Sequence, residues 1–223
     1  MVKIYGIAGL LFFVFSKNKT HFALSFIFWL CLMFFLPMLF SSPEFIVSSY
    51  FDWWQVLLEK NIQNEQSVMQ DISLMGFIRR CFHVDNYVNM VVLIFSSLII
   101  LSPLVRFRQY KFPLYRLSYL AIVLISVVIL STSAESSTYV IAVCGVAIWY
   151  IISPQDKWST SMLIFMLLLT SLSPTDLFPA YIRNHLIRPY ALKAIPCILI
   201  WFVLLKNVAL IDFSKLKSPA LIQ

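Results

Sequence analysis

Glycine is nearly missing from this chain, with 4 in 223 residues, and charged residues make up only 12% of it. So few glycines exclude a collagen-like rod, a flexible Gly/Ser linker and a Gly-rich phosphate loop. Four widely scattered cysteines without a CxxC pair exclude a disulfide scaffold and a thiolate metal site. Neither a GxSxG elbow nor an internal repeat is present, and the scarcity of charge excludes disorder. What fills the chain is hydrocarbon. Hydrophobic residues reach 61%, phenylalanine alone numbers 20, and the mean hydropathy is +0.86. A soluble domain carries about twice this share of charge and could not hide so much Phe, Leu and Ile in one core. The solvent for most of these side chains is lipid.

Crossing about 30 Å of hydrocarbon takes roughly 20 apolar residues in a helix. On that basis the apolar runs give seven candidate transmembrane helices: Val2–Phe15, Phe22–Phe40, Tyr87–Val105, Leu117–Leu130, Tyr139–Ile152, Met162–Leu172 with a backward extension to Trp158, and Ala194–Leu210. Helices are expected because lipid offers backbone groups no partner, and the alternating strands of a barrel are absent from the pattern. The fold class read from the sequence is therefore an all-α, polytopic membrane bundle, a single membrane domain over residues 1–223.

The net charge of +7 sorts by side. With the Ser16–His21 turn inside, the inner connections and tail hold Lys17, Lys19, Arg106, Arg108, Lys111, Arg116, Lys157, Lys206, Lys215 and Lys217 against Asp156 and Asp212, or +8. The outer side holds Lys60, Arg79, Arg80, Arg183, Arg188 and Lys193 against eight acidic residues, or −2, and Lys3 accounts for the remainder. The positive-inside rule selects this orientation and places the C-terminus in the cytoplasm. The basic balance is thus a topology signal, and nucleic acid is not an expected partner.

The longest outer stretch is Ser41–Asn86. Its first part, after Pro43-Glu44, spaces Phe45, Ile46, Tyr50, Phe51, Trp53, Trp54, Val56 and Leu57 as in an amphipathic helix lying in the interface. A polar run, Glu59–Asp71, and a second amphipathic piece, Ile72–Phe82, ending in Arg79-Arg80, complete it. Three features carry candidate chemistry. His83 and Asp85 are two apart, but a zinc site needs a third ligand, so metal is not expected and no cofactor is called for. Glu135 lies in the polar nonet Ser131–Tyr139 between two short apolar runs, and ionisable groups at such depth are costly unless they face a polar cavity. The nonet reads either as a solvated serine-rich turn or as the lining of a substrate site, with Glu135, Ser136 and Tyr139 offered to a sugar or an acceptor. Finally Arg79, Arg80, Arg183, His185, Arg188 and Lys193 run against the general depletion of positive charge outside. They read either as anchors to anionic headgroups or as forks for a lipid-linked phosphate.

Several stretches taken in order resemble a known family. Lys3-Ile4-Tyr5-Gly6, Pro43–Trp54, Asn64-Glu65-Gln66-Ser67 followed by Ile72–Arg80, the Ser131–Tyr139 turn and Ser171-Leu172-Ser173-Pro174 are similar to the C-terminal half of family 87 glycosyltransferases, over nearly the whole chain. No single motif is specific; order and spacing carry the resemblance. It implies a GT-C class membrane enzyme of the bacterial inner membrane. Such an enzyme transfers a hexosyl or mannosyl unit from a polyprenyl-phosphate donor to a glycan or glycolipid acceptor on the outer face. Arg79, Arg80, Arg183 and Arg188 would then hold the donor phosphate, and Glu135, Ser136 and Tyr139 the sugar or acceptor. The family's catalytic acidic residue sits in the first outer loop and has no counterpart here, so the resemblance implies a C-terminal portion, inactive alone, with its N-terminal half on a separate chain. The family turn often carries His or Tyr; here it offers Glu135 and Tyr139. The alternative from a different class is a transporter or flippase-like protein moving the same lipid-linked sugars, for which paired inverted repeats would be expected.

Overall fold

A computed structural model describes residues 4–65, 71–83 and 89–215. All regular structure among them is helical. The chain packs as two compact units, Met1–Gln63 and Asn64–Gln223.

Unit one begins with a 3-10 helix, Ile4–Phe15, followed by a turn and α1, Lys19–Phe35. The two pack together, with the Phe13 and Phe22 rings edge to face at 5.5 Å. Pro37 cannot donate to an α-helical ladder, and α1 accordingly tightens into a 3-10 turn, Leu36–Leu39. No residue of α1 is buried: Phe28 is 60% exposed and Trp29 55%. A helix this apolar on every face is not stable against water but is at home in lipid. The next helix, α2, spans Pro43–Glu65, with Pro43 and Glu44 in the first turn where a missing N–H and a negative charge both suit the helix start. Ile46, Ser49, Trp53 and Leu57 form its half-buried stripe, and Tyr50 stacks on Phe34 at 5.5 Å. The expected polar run from Glu59 is helical as far as Glu65, because neither Pro nor Gly interrupts residues 44–65 and Glu, Lys and Gln are good helix formers.

Unit two contains α3 (Leu74–Phe82), α4 (Asn89–Leu101, extended as 3-10 by Ser102–Val105), α5 (Pro113–Ile129), α6 (Tyr139–Ile152), α7 (Lys157–Met166), the single turn α8 (Ala180–Ile182) and α9 (Ile195–Leu210). Its core is α5, α6 and α9 packed on one another. Its buried side chains include Tyr119, Ile122 and Ile125 of α5, Ala142, Val146 and Trp149 of α6, and Ile200, Trp201 and Leu204 of α9. One polar contact ties the core: Trp201 Nε1 donates to Ser126 Oγ at 2.7 Å, and Ser126 Oγ donates to Ile122 O. Such interhelical bonds stabilise helix pairs without a hydrophobic driving force between them. At Gly145 the α5 backbone comes so close that a Cβ would lie 2.8 Å from Ile125 Cγ1 and 2.9 Å from the Ala121 carbonyl oxygen. Gly145→Ala should therefore lower the thermal midpoint of the detergent-solubilised chain by an amount equivalent to about 1–2 kcal/mol. Gly9→Ala, with open space around its position, should leave the midpoint unchanged or slightly higher, and differential scanning fluorimetry distinguishes the two.

Two helices among the described residues are long and apolar enough to cross a membrane, Lys19–Leu39 and Leu192–Leu210. Shorter apolar helices, Tyr5–Phe15, Asn89–Val105, Pro113–Ile129, Ser136–Ile152 and Lys157–Leu172, fall on the other sequence candidates. Length alone does not make them spans, since each falls short of the roughly 20 residues that a straight crossing needs.

Candidate functional site

The site forms at one end of unit two, where segments distant in sequence are tied together by hydrogen bonds. Ile72 N donates to Ala134 O at 3.0 Å, and the Tyr139 hydroxyl donates to Ile72 O at 2.7 Å. Arg80 Nη1 reaches Arg188 O at 3.3 Å, and Lys193 Nζ reaches Ser136 O at 3.1 Å. The loops that the charge pattern assigns to the outer face are thus in mutual contact. At the other end Arg106 Nη1 donates to Val208 O and Ile211 O, and Gln109 Nε2 donates to Asp212 at 2.8 Å. A basic side chain there caps the last carbonyls of α9, the end of a helix that favours positive charge. Gln109 and Ser214 hold the Asp212 carboxyl at about 2 by hydrogen bonding to its charged form.

α3 is anchored before it starts. Asp71 is 1% exposed and has a left-handed backbone, φ 53°. Its carboxylate accepts from Ser73 Oγ and pairs with Arg79 Nη2 at 2.5 Å. Ser73 caps α3 by accepting from Gly76 N at 3.0 Å. Gly76 is required because a Cβ there would stand 2.0 Å from the Asp71 carbonyl oxygen. Burial pushes the Asp71 carboxyl above its ordinary range, while Ser73 and Arg79 pull it back down.

Beside this knot lies a recess of about 60 Å³, lined by Ile72, Ser136, Ser173, Pro174, Arg183, Ile187, Arg188, Ala191 and Lys193. That is room for a few waters or one small anion. Two π-helical turns frame it: 167–172 delivers Ser173, and 183–187 delivers Arg183 and Ile187. Such turns re-aim side chains and recur at functional sites. Ala191, on the wall, is left-handed at φ 50° without being glycine. Lys193 is 4% exposed, and its ammonium lies 5.0 Å above the centre of the Tyr139 ring. Arg183 Nη1 donates to Thr175 O at 2.7 Å and meets the fully exposed Asp176 at 3.2 Å, while its buried Nε has no partner. Arg188 Nη1 donates to Asn184 Oδ1 at 2.9 Å. No acidic residue is among those lining the recess.

The four arginines singled out by sequence therefore divide. Arg183 and Arg188 stand on the recess wall, whereas Arg79 is committed to Asp71 and Arg80 to the backbone at Arg188. Of the nonet, Ser136 is on the wall, Glu135 is half-buried at the start of the 3-10 turn Ser136–Thr138, and Tyr139 lies beneath, 2% exposed. His185 stacks on Tyr181 and is exposed. The zinc suggestion at His83 cannot be followed to Asp85, which lies outside the described residues. Sequence reasoning missed Asp71, counting it only as loop charge. The spacing Asp71, Ser73, Gly76, Arg79 was its one available signal: a cap residue, a close-approach glycine and a counter-ion one helical turn further on.

An all-helical protein with strongly apolar helices and a cation-lined recess at one end of the bundle is the class that fold and site define. The family model of glycosyltransferase family 87 matches residues 1–132. The chain belongs to glycosyltransferase family 87, which makes it a glycosyltransferase-type membrane protein. No curated protein and no solved structure matches it. The matched range is narrower than the motif resemblance: Arg79 and Arg80 lie within it, and Glu135, Ser136, Tyr139, Arg183 and Arg188 lie beyond it.

Proposed function

We propose that this chain binds the donor of a membrane hexosyl transfer, a mannose-like sugar carried on a polyprenyl phosphate, for delivery to a glycan or glycolipid hydroxyl on the outer face. The observation that carries the reading is the recess in which Arg183, Arg188 and buried Lys193 converge without an acidic lining residue. Breaking the bond between sugar and phosphate leaves negative charge on the departing phosphate, and preorganised cations stabilise that charge in a water-poor site. Lys193 is the strongest element, because a buried ammonium held, among the described residues, by a carbonyl and a ring face and no carboxylate gains most from an arriving anion. Ser136 on the wall meets the sugar, Glu135 beside it meets sugar or acceptor, and Tyr139 supports both from below. Arg79 and Arg80 serve the same phosphate indirectly, by fixing the frame that holds Arg188.

The acceptor hydroxyl must lose a proton to a general base. No carboxylate is among the residues lining the recess, and Glu135 beside it serves this reading as a hydrogen-bond acceptor for sugar or acceptor and not as the base, so the chain alone binds donor without turning it over. On this reading the seven apolar segments cross the inner membrane of a bacterial cell, with the C-terminus in the cytoplasm. This reading is supported by the +8 and −2 division of loop charge and by the meeting of same-side loops at opposite ends of unit two.

The test is photo-crosslinking of the detergent-purified chain with a short polyprenyl monophosphate sugar bearing a diazirine. Labelling is expected between Ser136 and Lys193. Arg188→Gln and Lys193→Met should each reduce it at least about tenfold, and Lys193→Met should leave the thermal midpoint unchanged or raised, since it removes a buried charge. Labelling that ignores both substitutions sinks the phosphate assignment. Sugar transfer by the chain alone sinks the claim about the base.

A further inference from the structure

We infer that the turn after the first 3-10 helix and the first three turns of α1 form a binding site for one anionic phospholipid. The surface at issue is an open groove of about 430 Å³, lined by Ser16, Asn18, His21, Phe22, Ser25, Phe26 and Trp29. Positions 18, 21, 22, 25, 26 and 29 follow the three- and four-residue spacing of one helix face, so the groove runs along α1 rather than around it. Its chemistry is graded in that direction. Asn18 and His21 stand at the start of the helix, Ser25 one turn on, and Phe26 and Trp29 beyond, at about 1.5 Å of rise per residue. Polar donors, then a hydroxyl, then aromatic wall is the order of headgroup, ester and acyl chain in a phospholipid.

Charge selects which phospholipid. Lys17 and Lys19 alternate with Ser16 and Asn18 at the polar end, and both are exposed. No Asp or Glu occurs before Glu44, so the first 43 residues present cations with no competing acid. The Asn18 side chain makes no capping bond to the helix it precedes and is thereby available to a headgroup. The deep end is open to hydrocarbon, since α1 buries none of its residues. An anionic headgroup gains about 1 kcal/mol from each lysine near a membrane surface, whereas a zwitterionic one carries its own cation and gains little. A free phosphate would leave the aromatic end of the groove unfilled. This site lies wholly within unit one and is independent of the donor reading.

Native mass spectrometry of the full chain in mild detergent, titrated separately with phosphatidylglycerol, phosphatidylcholine and inorganic phosphate, tests it. One phosphatidylglycerol should be retained in preference to phosphatidylcholine, and phosphate alone should not be retained. Lys17→Gln with Lys19→Gln should weaken retention on the order of fivefold per lysine. Trp29→Ala should weaken it without changing the preference between headgroups. Equal retention of the two lipids, or retention untouched by the lysine pair, overturns the inference, as does binding of phosphate alone. Helix content by circular dichroism must match the parent for every variant; the lysines are exposed, so their removal is expected to leave it unchanged.

Discussion

Replacing Arg79 by Met should lower the stability of the chain by about 3–5 kcal/mol at neutral pH, the largest single-residue effect expected here. Arg79 is 15% exposed and Asp71 1%, so removing the guanidinium leaves a carboxylate in a site that water does not reach. For a chain of this size the loss corresponds to a fall in thermal midpoint on the order of 10 °C. The deficit should depend on pH in a definite direction. Burial already raises the folded-state pKa of Asp71 above its unfolded value, with Arg79 among the groups opposing that rise. Without Arg79 the folded pKa climbs further. A group whose folded pKa is raised contributes its stability below the unfolded pKa, near 4, and loses it as pH rises through the folded value. The variant should therefore approach the parent in acid and fall away from it towards neutrality. The double variant Asp71→Asn, Arg79→Met should regain much of the loss, because removing both charges also removes both desolvation costs. A pH-independent deficit, or a double variant that loses as much as the two singles added together, would show that Arg79 acts by packing alone.

Gly76→Ala should be nearly as damaging, about 3 kcal/mol, for a steric reason. The new Cβ would stand 2.0 Å from the Asp71 carbonyl oxygen and 2.9 Å from Cγ and Oδ2 of the same residue. The closest of these atoms is backbone, in a residue held left-handed at φ 53°, so it cannot step aside as a side chain would. Asp71→Asn should consequently fail to rescue Gly76→Ala, which separates this clash from the electrostatic effect of Arg79. Gly6→Ala, where a Cβ meets nothing within 4 Å, is the matched control, and thermal melts in detergent read all three. Because Ile72 lies between Asp71 and the cap at Ser73 and lines the recess, loss of donor labelling should accompany the loss of stability in the Gly76 variant.

How far the site was legible differs from residue to residue. Arg183 and Arg188 stood out because positive charge on an outer loop runs against the topology rule, and both are on the recess wall. Arg79 and Arg80 satisfied the same rule equally well. Only the path of α3 sends one to Asp71 and the other to a carbonyl 108 residues away. Ser136 and Tyr139 belong to one polar turn in the sequence, but the start of α6 turns the tyrosine under the recess. Lys193 belongs by sequence to the same outer basic cluster, with nothing to set it apart as buried. Its burial results from Thr170 holding its carbonyl at 2.9 Å and from the left-handed turn at Ala191, neither of which has a local sequence signature.

The scarcity of glycine and of charge, together with the long apolar runs, determined by composition that this is a helical protein whose main solvent is lipid. The spacing of its motifs was enough for the family. Those properties are additive along the chain, so counting suffices to find them. Whether a given arginine meets a carboxylate, a carbonyl or the wall of a recess is not additive, because it depends on which distant segments touch. Tertiary structure alone decided that Asp71 is buried, that Gly76 admits no methyl group, and that three cations converge on one small recess. The physical reason is common to all three: desolvation and close contact act over a few ångströms in space, and no property of the local chain encodes who the neighbour will be.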